Sequence, residues 1–542
     1  MNPKETAGPS TKKRRISVGN IAALLVAASL TGQVLGFLRT KLVNANFPAT
    51  GPHSTDAYFA AFSIPDFFFF TLAAGALGVA FMPVLAEHLQ KRDRKGVWEL
   101  SASLLNFLAL LMLGVGVFML VFAEPLIHHV VAPRLKGAEL DNAVMIMRLL
   151  AFNPLLFTIT GVITSVQQTM GRFFFYAIAP LFYNACIIIS ILVFSEAPGH
   201  HGGPGHLGIA GLGFGALIGA ILQLLVVMVG TLKLNFHWHP RINWRNPDFR
   251  LILKNLPPRS LDQGIDQVNS VVETHIASSL GAGNISYYNN AYTLSTAPIL
   301  LVGTAISTAA FPRLNQRLAQ GRHDLFRRDF LMILRAMIWL AAPLVVVCFY
   351  CRGYLSRLIF TQDNAEIALI FGYLTLAIFF RIIYSIISRW FYAQKDTRTP
   401  LFVSFFTIGL NITLAVTLAK SYSYNIAGLA LAQSIAAMAE VVVLVIIMLY
   451  RDHKLFDAAF WDGLVRIMSV TGFSAVAGFI MVHIYPLTLA DKGIFTLGSK
   501  LVAIAGVTFA VHLLVSSVFG LEEVGPVFRR LRRMALKPLR LN

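Results

Sequence analysis

Fourteen apolar runs, each about 20 residues or longer, recur from one end of this sequence to the other, and no other feature restricts the fold as much. A helix of about 20 residues spans roughly 30 Å, the thickness of bilayer hydrocarbon. The candidate spans are 18–43, 56–86, 98–123, 140–168, 173–195, 207–232, 251–280, 284–312, 328–350, 365–393, 399–420, 425–450, 459–485 and 494–520. Hydrophobic residues make up 56% of the chain and charged residues 13%. Mean hydropathy is +0.67. No soluble core absorbs that much apolar sequence, so the expected class is an all-α polytopic membrane protein with about 14 transmembrane helices.

The basic residues orient the spans, because Lys and Arg in short loops stay on the cytoplasmic side. "KKRR" (12–15), "QKRDRK" (90–95), Arg172, the 233–254 segment, the 313–328 loop, "QKDTR" (394–398), Arg451 with Lys454, and "RRLRR" (529–533) fall on alternate connections. "NANFPATGPHSTD", "EAPGHHGGPGHLG" and "GAGN", on the intervening connections, hold no Lys or Arg, whereas Arg134, Lys136, Arg352 and Arg357 run against the pattern. Both termini are therefore expected in the cytoplasm. The net charge of +19 is dispersed over these loops without a nucleic-acid motif. It reads as topology plus attraction to anionic membrane lipids, and nucleic acid is not expected as a partner.

The chain is built twice. "GIAGLGFGALIGAILQL" (208–224) resembles "NIAGLALAQSIAAMAEV" (425–441) at an offset of 217, pairing Gln223 with Glu440. "FMPVLAEHL" (81–89) resembles "FPRLNQRL" (311–318), and Gln167 and Asn184 match Gln394 and Asn411 at equal spacing. An even number of spans separates the copies, so the two halves share one topology. The expected organisation is a basic N-terminus (1–17), a six-helix bundle (18–232), an interfacial connector (233–250) carrying "HWHPRINWRNPD", a second six-helix bundle (251–450), two further spans (451–520) and a basic tail (521–542). Two packed bundles joined in this way suit a transporter whose cavity opens alternately to each side.

The seventh span breaks the apolar rule. In "RSLDQGIDQVNSVVETH" (259–275), with Asn255 before it, Asn255, Arg259, Asp262, Asp266, Asn269 and Glu273 fall within about 80° on a helix turning about 100° per residue. One charge near the bilayer centre costs roughly 2.5 to 3.5 kcal/mol, so this stripe faces other helices or water. Two readings follow: an interhelical salt-bridge network, or a hydrated cavity wall whose acids take a cation or proton and whose Arg meets an anionic headgroup. Asn289 and Asn290 in "YYNNAYTLS" (287–295) can bond a sugar or satisfy a re-entrant backbone. Arg39 and Asp56, flanking the first outer loop, can pair across it. Cys348 and Cys351 form a CxxC without metal or redox context and read as an incidental apolar pair. No HExxH, GxSxG or P-loop pattern occurs, and the chain is expected to be a transporter with no catalytic residues.

"QQTMGRFFFYAIAPLFYNACII" (167–188), with Arg172, Phe173, Ala177, Ala179, Pro180 and Asn184, resembles the signature of the MurJ/MviN lipid II flippases. "FYAQKDTRTP" (391–400), "VLGFLRT" (34–40), "TDAYFAAFSIPD" (55–66) and "QVNSVVETHIASSLGAGNISYY" (267–288) are similar to other elements of that family. The resemblance implies the fold of the multidrug/oligosaccharidyl-lipid/polysaccharide exporter superfamily. It also implies outward movement of an undecaprenyl-pyrophosphate-linked disaccharide-pentapeptide across the bacterial cytoplasmic membrane, with peptidoglycan synthesis enzymes as partners and a monomer as the working unit. By resemblance the substrate-contacting set is Gln33, Arg39, Asp56, Arg259, Asn289 and Asn290. The cation-coupling set is Asp262, Asp266, Glu273 and Asn411, with sodium at Glu273 or a proton as the coupling ion. The sequence departs from the family where Gln33, Phe69, Phe70, Ala74, Tyr292 and Thr293 stand in place of cavity arginines and acids. Arg259 is then expected to replace part of that cationic cavity. Export of another undecaprenyl-linked oligosaccharide, or cation-coupled multidrug export, is the alternative.

Overall fold

The computed structural model describes residues 18–74, 81–195, 204–232, 234, 237–360, 364–421, 424–491 and 493–525, with the side chains of 18–23, 74, 204–206, 257–263 and 421 outside that description. The expected N-terminus (1–17) and most of the C-terminal tail lie outside it too. The described residues are helical, with no strand among them.

Eleven helices are long and apolar enough to cross a membrane. They are α3 (Arg94–Val131), α4 (Ala138–Thr169), α5 (Phe174–Phe194), α6 (Leu207–Thr231), α8 (Asn284–Ala319), α9 (His323–Tyr350), α10 (Asn364–Ala393), α11 (Arg398–Lys420), α12 (Asn425–Arg451), α13 (Ala458–Ile484) and α14 (Gly493–Val518). Three further helices complete the expected 14: α1 (Val18–Asn46), α2 (Thr55–Phe68) and α7 (Pro247–Leu280). α7 is long enough to span, but its polar stripe keeps its mean hydropathy low.

Local chemistry sets where these helices start and bend. Ser54, Asp93, Asn246 and Asp457 each accept a backbone N–H from the first turn of the helix that follows, satisfying donors that have no intrahelical acceptor. π-Turns Phe69–Ala74, Leu126–Val131 and Ile299–Thr304 begin just after Pro65, Pro125 and Pro298. Proline removes a backbone donor and crowds the preceding turn, and a widened turn absorbs the mismatch. Large apolar side chains such as Leu110, Leu192, Phe402, Ile446 and Val465 are exposed around the outside, where only hydrocarbon tails suit them.

The duplication appears in the packing. α5 lies against α6, and α11 against α12. Gly211 and Gly428, 217 positions apart, sit at equivalent places in these pairs: a Cβ at Gly211 would come within 2.2 Å of the Phe194 ring, and one at Gly428 within 2.8 Å of Ala419 backbone nitrogen. The connector folds along α3, with Trp238 Nε1 donating to Asn106 Oδ1 at 2.9 Å and Asn106 Nδ2 donating to the carbonyls of His239 (2.7 Å) and Arg241 (3.1 Å).

α7 ties the halves together. Its first turns place Phe249 and Ile252 in a core with Phe81, Leu85, Trp98 and Leu104 of the first half. Farther along it packs on α2, α11 and α12, and Gly264 allows close approach, since a Cβ there would be 2.8 Å from Thr71 Cγ2. Cys348 and Cys351 are free and buried, the first in the large central core and the second among the residues between α9 and α14.

Candidate functional site

A cavity of about 330 Å³ lies where α7 and α8 meet α2, α10 and α12. α7 contributes Asp266, Asn269, Ser270 and Glu273; α8 contributes Tyr288, Asn289 and Tyr292; Arg381 enters from α10 and Gln433 from α12. The stripe from Asp266 to Glu273 therefore faces the inside of the molecule. Asp266 and Ser270 are open to the cavity, and Asn269 and Glu273 are buried in its wall.

Glu273 is the centre of an amide cluster. Asn411 Nδ2 donates to Glu273 Oε1 at 2.8 Å and to Asn269 Oδ1 at 2.9 Å, and Asn269 Nδ2 donates to the same Glu273 oxygen at 3.0 Å. Gln433, in the amide orientation that satisfies both neighbours, donates to Glu273 Oε1 at 3.1 Å and accepts from Arg381 Nη2 at 3.1 Å. Arg381 Nη1 lies 3.9 Å from Glu440 Oε2, and Ser404 Oγ donates to Glu440 Oε1 at 2.8 Å. Burying a carboxylate costs several kcal/mol, and converging N–H donors offset that cost. Gln433 thus connects the Glu273 carboxylate to a guanidinium on the cavity surface.

The cluster also holds an unmatched acceptor. Asn411 is 2% exposed, and among the described residues its Oδ1 has no hydrogen-bond partner. Among the described residues no group of three or more His, Cys, Asp or Glu is arranged to hold a metal ion.

On the side of this cavity away from the basic loops, the halves are closed against each other. Asp56, at the start of α2 and 2% exposed, accepts from the backbone N–H of Gly283 and of Ser286, both at 2.7 Å. α8 has no side-chain cap of its own there, so the carboxylate of α2 supplies it across the seam. Thr55 Oγ1 and Ser286 Oγ are 2.6 Å apart, and Asn44 and Asn290 exchange amide bonds of 3.1 and 2.7 Å. His275 Nδ1 adds a 2.9 Å contact to the Val130 carbonyl.

The structure therefore divides the sequence-predicted residues. Glu273, Asn411 and Asp266 come together, and Asn289 lines the same cavity. Asp56 and Asn290 instead face their partners across the closed seam, with their polar atoms engaged there. The expected Arg39–Asp56 pair is absent among the described residues, because both Asp56 oxygens are taken by α8. Gln33 is exposed on α1 and does not line the cavity. Asn255 is exposed near the beginning of α7, and the side chains of Arg259 and Asp262 lie outside the described residues. Arg381 and Gln433 were not read from the sequence as site residues. An isolated Arg inside the apolar run "LAIFFRIIY" was the available signal for the first.

The family model described as "Lipid II flippase MurJ" matches residues 51–497. Among curated relatives, a "Probable lipid II flippase MurJ" of Rhizobium tropici is 25% identical over 546 residues, covering 98% of each chain. Among solved structures, "Lipid II flippase MurJ, inward closed conformation" superposes with a TM-score of 0.75 at 22% identity, covering 92% of this chain and 98% of its own. An inward-facing multidrug resistance MATE family transporter of the MOP superfamily superposes at 0.65 with 16% identity, covering 78% of this chain and 95% of its own.

Proposed function

The chain belongs to the lipid II flippase MurJ family, and from that membership we propose that it moves lipid II, the undecaprenyl-pyrophosphate-linked disaccharide-pentapeptide, from the inner to the outer leaflet of the bacterial cytoplasmic membrane. The observation that carries the mechanism is the polar cavity sealed at one end by contacts between α2 and α8. On the positive-inside rule the sealed end is the outer one, and both termini are cytoplasmic. In this state the headgroup enters from the cytoplasmic side, while the lipid tail stays in hydrocarbon beside the bundle. Parting α2 from α8 and closing the opposite end then carries the headgroup outward.

Arg381 is the described cavity cation suited to a pyrophosphate oxygen, and Asn289 with Tyr292 offers hydrogen bonds to sugar hydroxyls. Glu273 with Asn411 Oδ1 would hold sodium, or Glu273 alone a proton; either would neutralise the carboxylate when bound. Neutralisation loosens the hold on the Gln433 amide and, through it, on Arg381. This links cation occupancy to the cation that faces the substrate.

A flippase-depleted strain complemented with this chain tests the reading by outward exposure of lipid II. Wild type should restore exposure, and well-expressed Arg381→Ala and Glu273→Gln should each reduce it by at least about tenfold, the loss of roughly 1.4 kcal/mol of interaction. Normal exposure in cells depleted of both proteins would sink the proposal. The two acids on the cavity wall, Asp266 and Glu273, against one described Arg favour a second reading, cation-coupled export of a cationic compound. Drug–proton exchange in liposomes that depends on Glu273, without lipid II movement, would establish that instead.

A further inference from the structure

A second polar cavity, of about 210 Å³, lies at the basic-loop end of the second half and shares no lining residue with the first. Three connections meet there: α8 to α9, α10 to α11, and α12 to α13. His323, Arg327, Trp390, Gln394, Arg451 and Asp452 form its polar lining. The three connections, 320–328, 394–398 and 451–454, carry Arg322, Arg327, Arg328, Lys395, Arg398, Arg451 and Lys454 against Asp324, Asp396 and Asp452.

Its cations are held in place but not used up. Arg327 Nε donates to Asp452 Oδ2 at 2.5 Å, and among the described residues neither of its Nη atoms has an acceptor. Arg451 gives Nη1 to Asp396 Oδ2 at 2.6 Å and Nη2 to Thr399 Oγ1 at 2.7 Å, with its guanidinium 5.3 Å from the Phe391 ring centroid. Trp390 supplies an independent observation: it is 2% exposed, it lines this cavity, and among the described residues its Nε1 has no hydrogen-bond acceptor. A buried indole N–H without an acceptor is destabilising, and a bound acceptor offsets that cost. The cavity thus gathers guanidinium, imidazole and indole donors around a space with too few acceptors.

We propose that this cavity binds the phosphate of an anionic membrane lipid headgroup. A phosphodiester brings several acceptor oxygens and the charge that the Arg327 fork suits. The surroundings match the depth of a headgroup: Tyr450 is 80% exposed beside His453, and Arg389 lies over the rings of Phe311 and Tyr392. The space is also small beside the disaccharide-pentapeptide that the first cavity is proposed to admit, which makes this a separate site. The inference does not rest on the flippase reading, because it requires only that this end of the molecule meet a leaflet containing phosphate.

The full chain in neutral detergent, titrated with phosphatidylglycerol, with phosphatidylcholine or with inorganic phosphate at matched ionic strength, tests the site by the shift in thermal unfolding midpoint. Phosphatidylglycerol should stabilise the wild type saturably, and Arg327→Gln and Trp390→Phe should each weaken its apparent affinity by about fivefold or more. Arg172→Gln, which removes an exposed basic residue of the first half, should leave affinity unchanged. Equal response to inorganic phosphate, lost in the same two variants, would keep the phosphate site and assign it to the free ion, overturning the lipid as its source. Affinity unaffected by Arg327→Gln and Trp390→Phe, or reduced as much by Arg172→Gln, would overturn the site in favour of diffuse surface charge. If Arg327→Gln fails to fold, Arg327→Lys, which keeps the charge and loses the fork, takes its place with the same expected loss.

Discussion

Gly211 and Gly428 hold equivalent positions in the two halves, yet their neighbours differ in how far they can yield. A methyl group at 428 meets the backbone of Leu418 and Ala419, whereas one at 211 meets a Phe194 ring that can swing aside. Overpacking costs typically about 1–3 kcal/mol when the neighbour cannot move. Gly428→Ala is therefore expected to lower the unfolding midpoint in detergent more than Gly211→Ala, and an equal or reversed order would show that the repeat pairs differ in packing. Outside the membrane-spanning segments, partial burial raises the Asp396 carboxyl, but the hydroxyl and backbone N–H of Thr399 and the Arg451 guanidinium outweigh it and hold the group at about 2. A depressed folded pKa makes this loop clamp fully stabilising above the ordinary value of 3.8 and removes it as pH falls through about 2. The stability difference between wild type and Asp396→Asn should be present at pH 7 and shrink to nothing over that acid window; a difference unchanged at pH 2 would assign it to something other than charge. That Glu273 turns inward was legible because it lies on a polar stripe, whereas Asn411 was singled out only by the family resemblance. Arg381 was not legible, because a single charge in an apolar run does not say which way it points, and Gln433 acquires meaning only from the two charged groups it lies between.

Hydropathy found 14 spans because transfer energy is summed residue by residue, but it does not describe the path of the backbone. The expected span 56–86 begins as a helix that widens into a π-turn, Phe69–Ala74, after Pro65, and its far end is the helix Met82–Gln90. The expected span 140–168 is two helical pieces, the second starting with Pro154 at its first turn. Prolines mark these breaks, and the run of apolar side chains passes over them. The part of α8 that matters most was illegible for another reason. Its N-terminal cap comes from Asp56, more than 200 residues away, and no local pattern announces a cap borrowed from another helix. Removing that carboxylate leaves two buried N–H groups unpaired, each costing about 1–3 kcal/mol. Asp56→Ala is expected to shift the population toward an outward-open form, read as faster labelling of Ser286→Cys by an external thiol reagent in a background lacking Cys186, Cys348 and Cys351. Labelling as slow as with Asp56 intact would mean that the seam is held chiefly by the other contacts.

At the scale of the molecule, which elements move together decides whether two bundles can rock. α14 and the segment after it are fastened to α9 by Trp339 Nε1 donating to Ser516 Oγ at 2.9 Å and by Arg335 Nε within 2.7 Å of Glu523 Oε1, and α13 is fastened to α14 by Ser474 Oγ beside His512 Nδ1 at 2.9 Å. These contacts pack the last two spans against the second half, so they move with it. α7 is different, with its first turns in the core of the first half and its later turns against α11 and α12. A rigid rotation of one half against the other must bend α7 or slide it, while α2 and α8 separate at the sealed end. Covalently joining that end should therefore stop transport without disturbing either cavity. Thr55 and Ser286 suit the test because their hydroxyl oxygens are 2.6 Å apart and neither lines the polar cavity. In a background with Cys186, Cys348 and Cys351 replaced, Thr55→Cys combined with Ser286→Cys is expected to form a cross-link on oxidation. Movement of lipid II in reconstituted vesicles should then fall by at least about tenfold, which corresponds to a population penalty of roughly 1.4 kcal/mol. Reduction should restore the movement, and each single cysteine should be insensitive to oxidant. Undiminished movement in protein verified as cross-linked would mean that the headgroup passes without parting α2 from α8, and rocking about this seam would have to be abandoned.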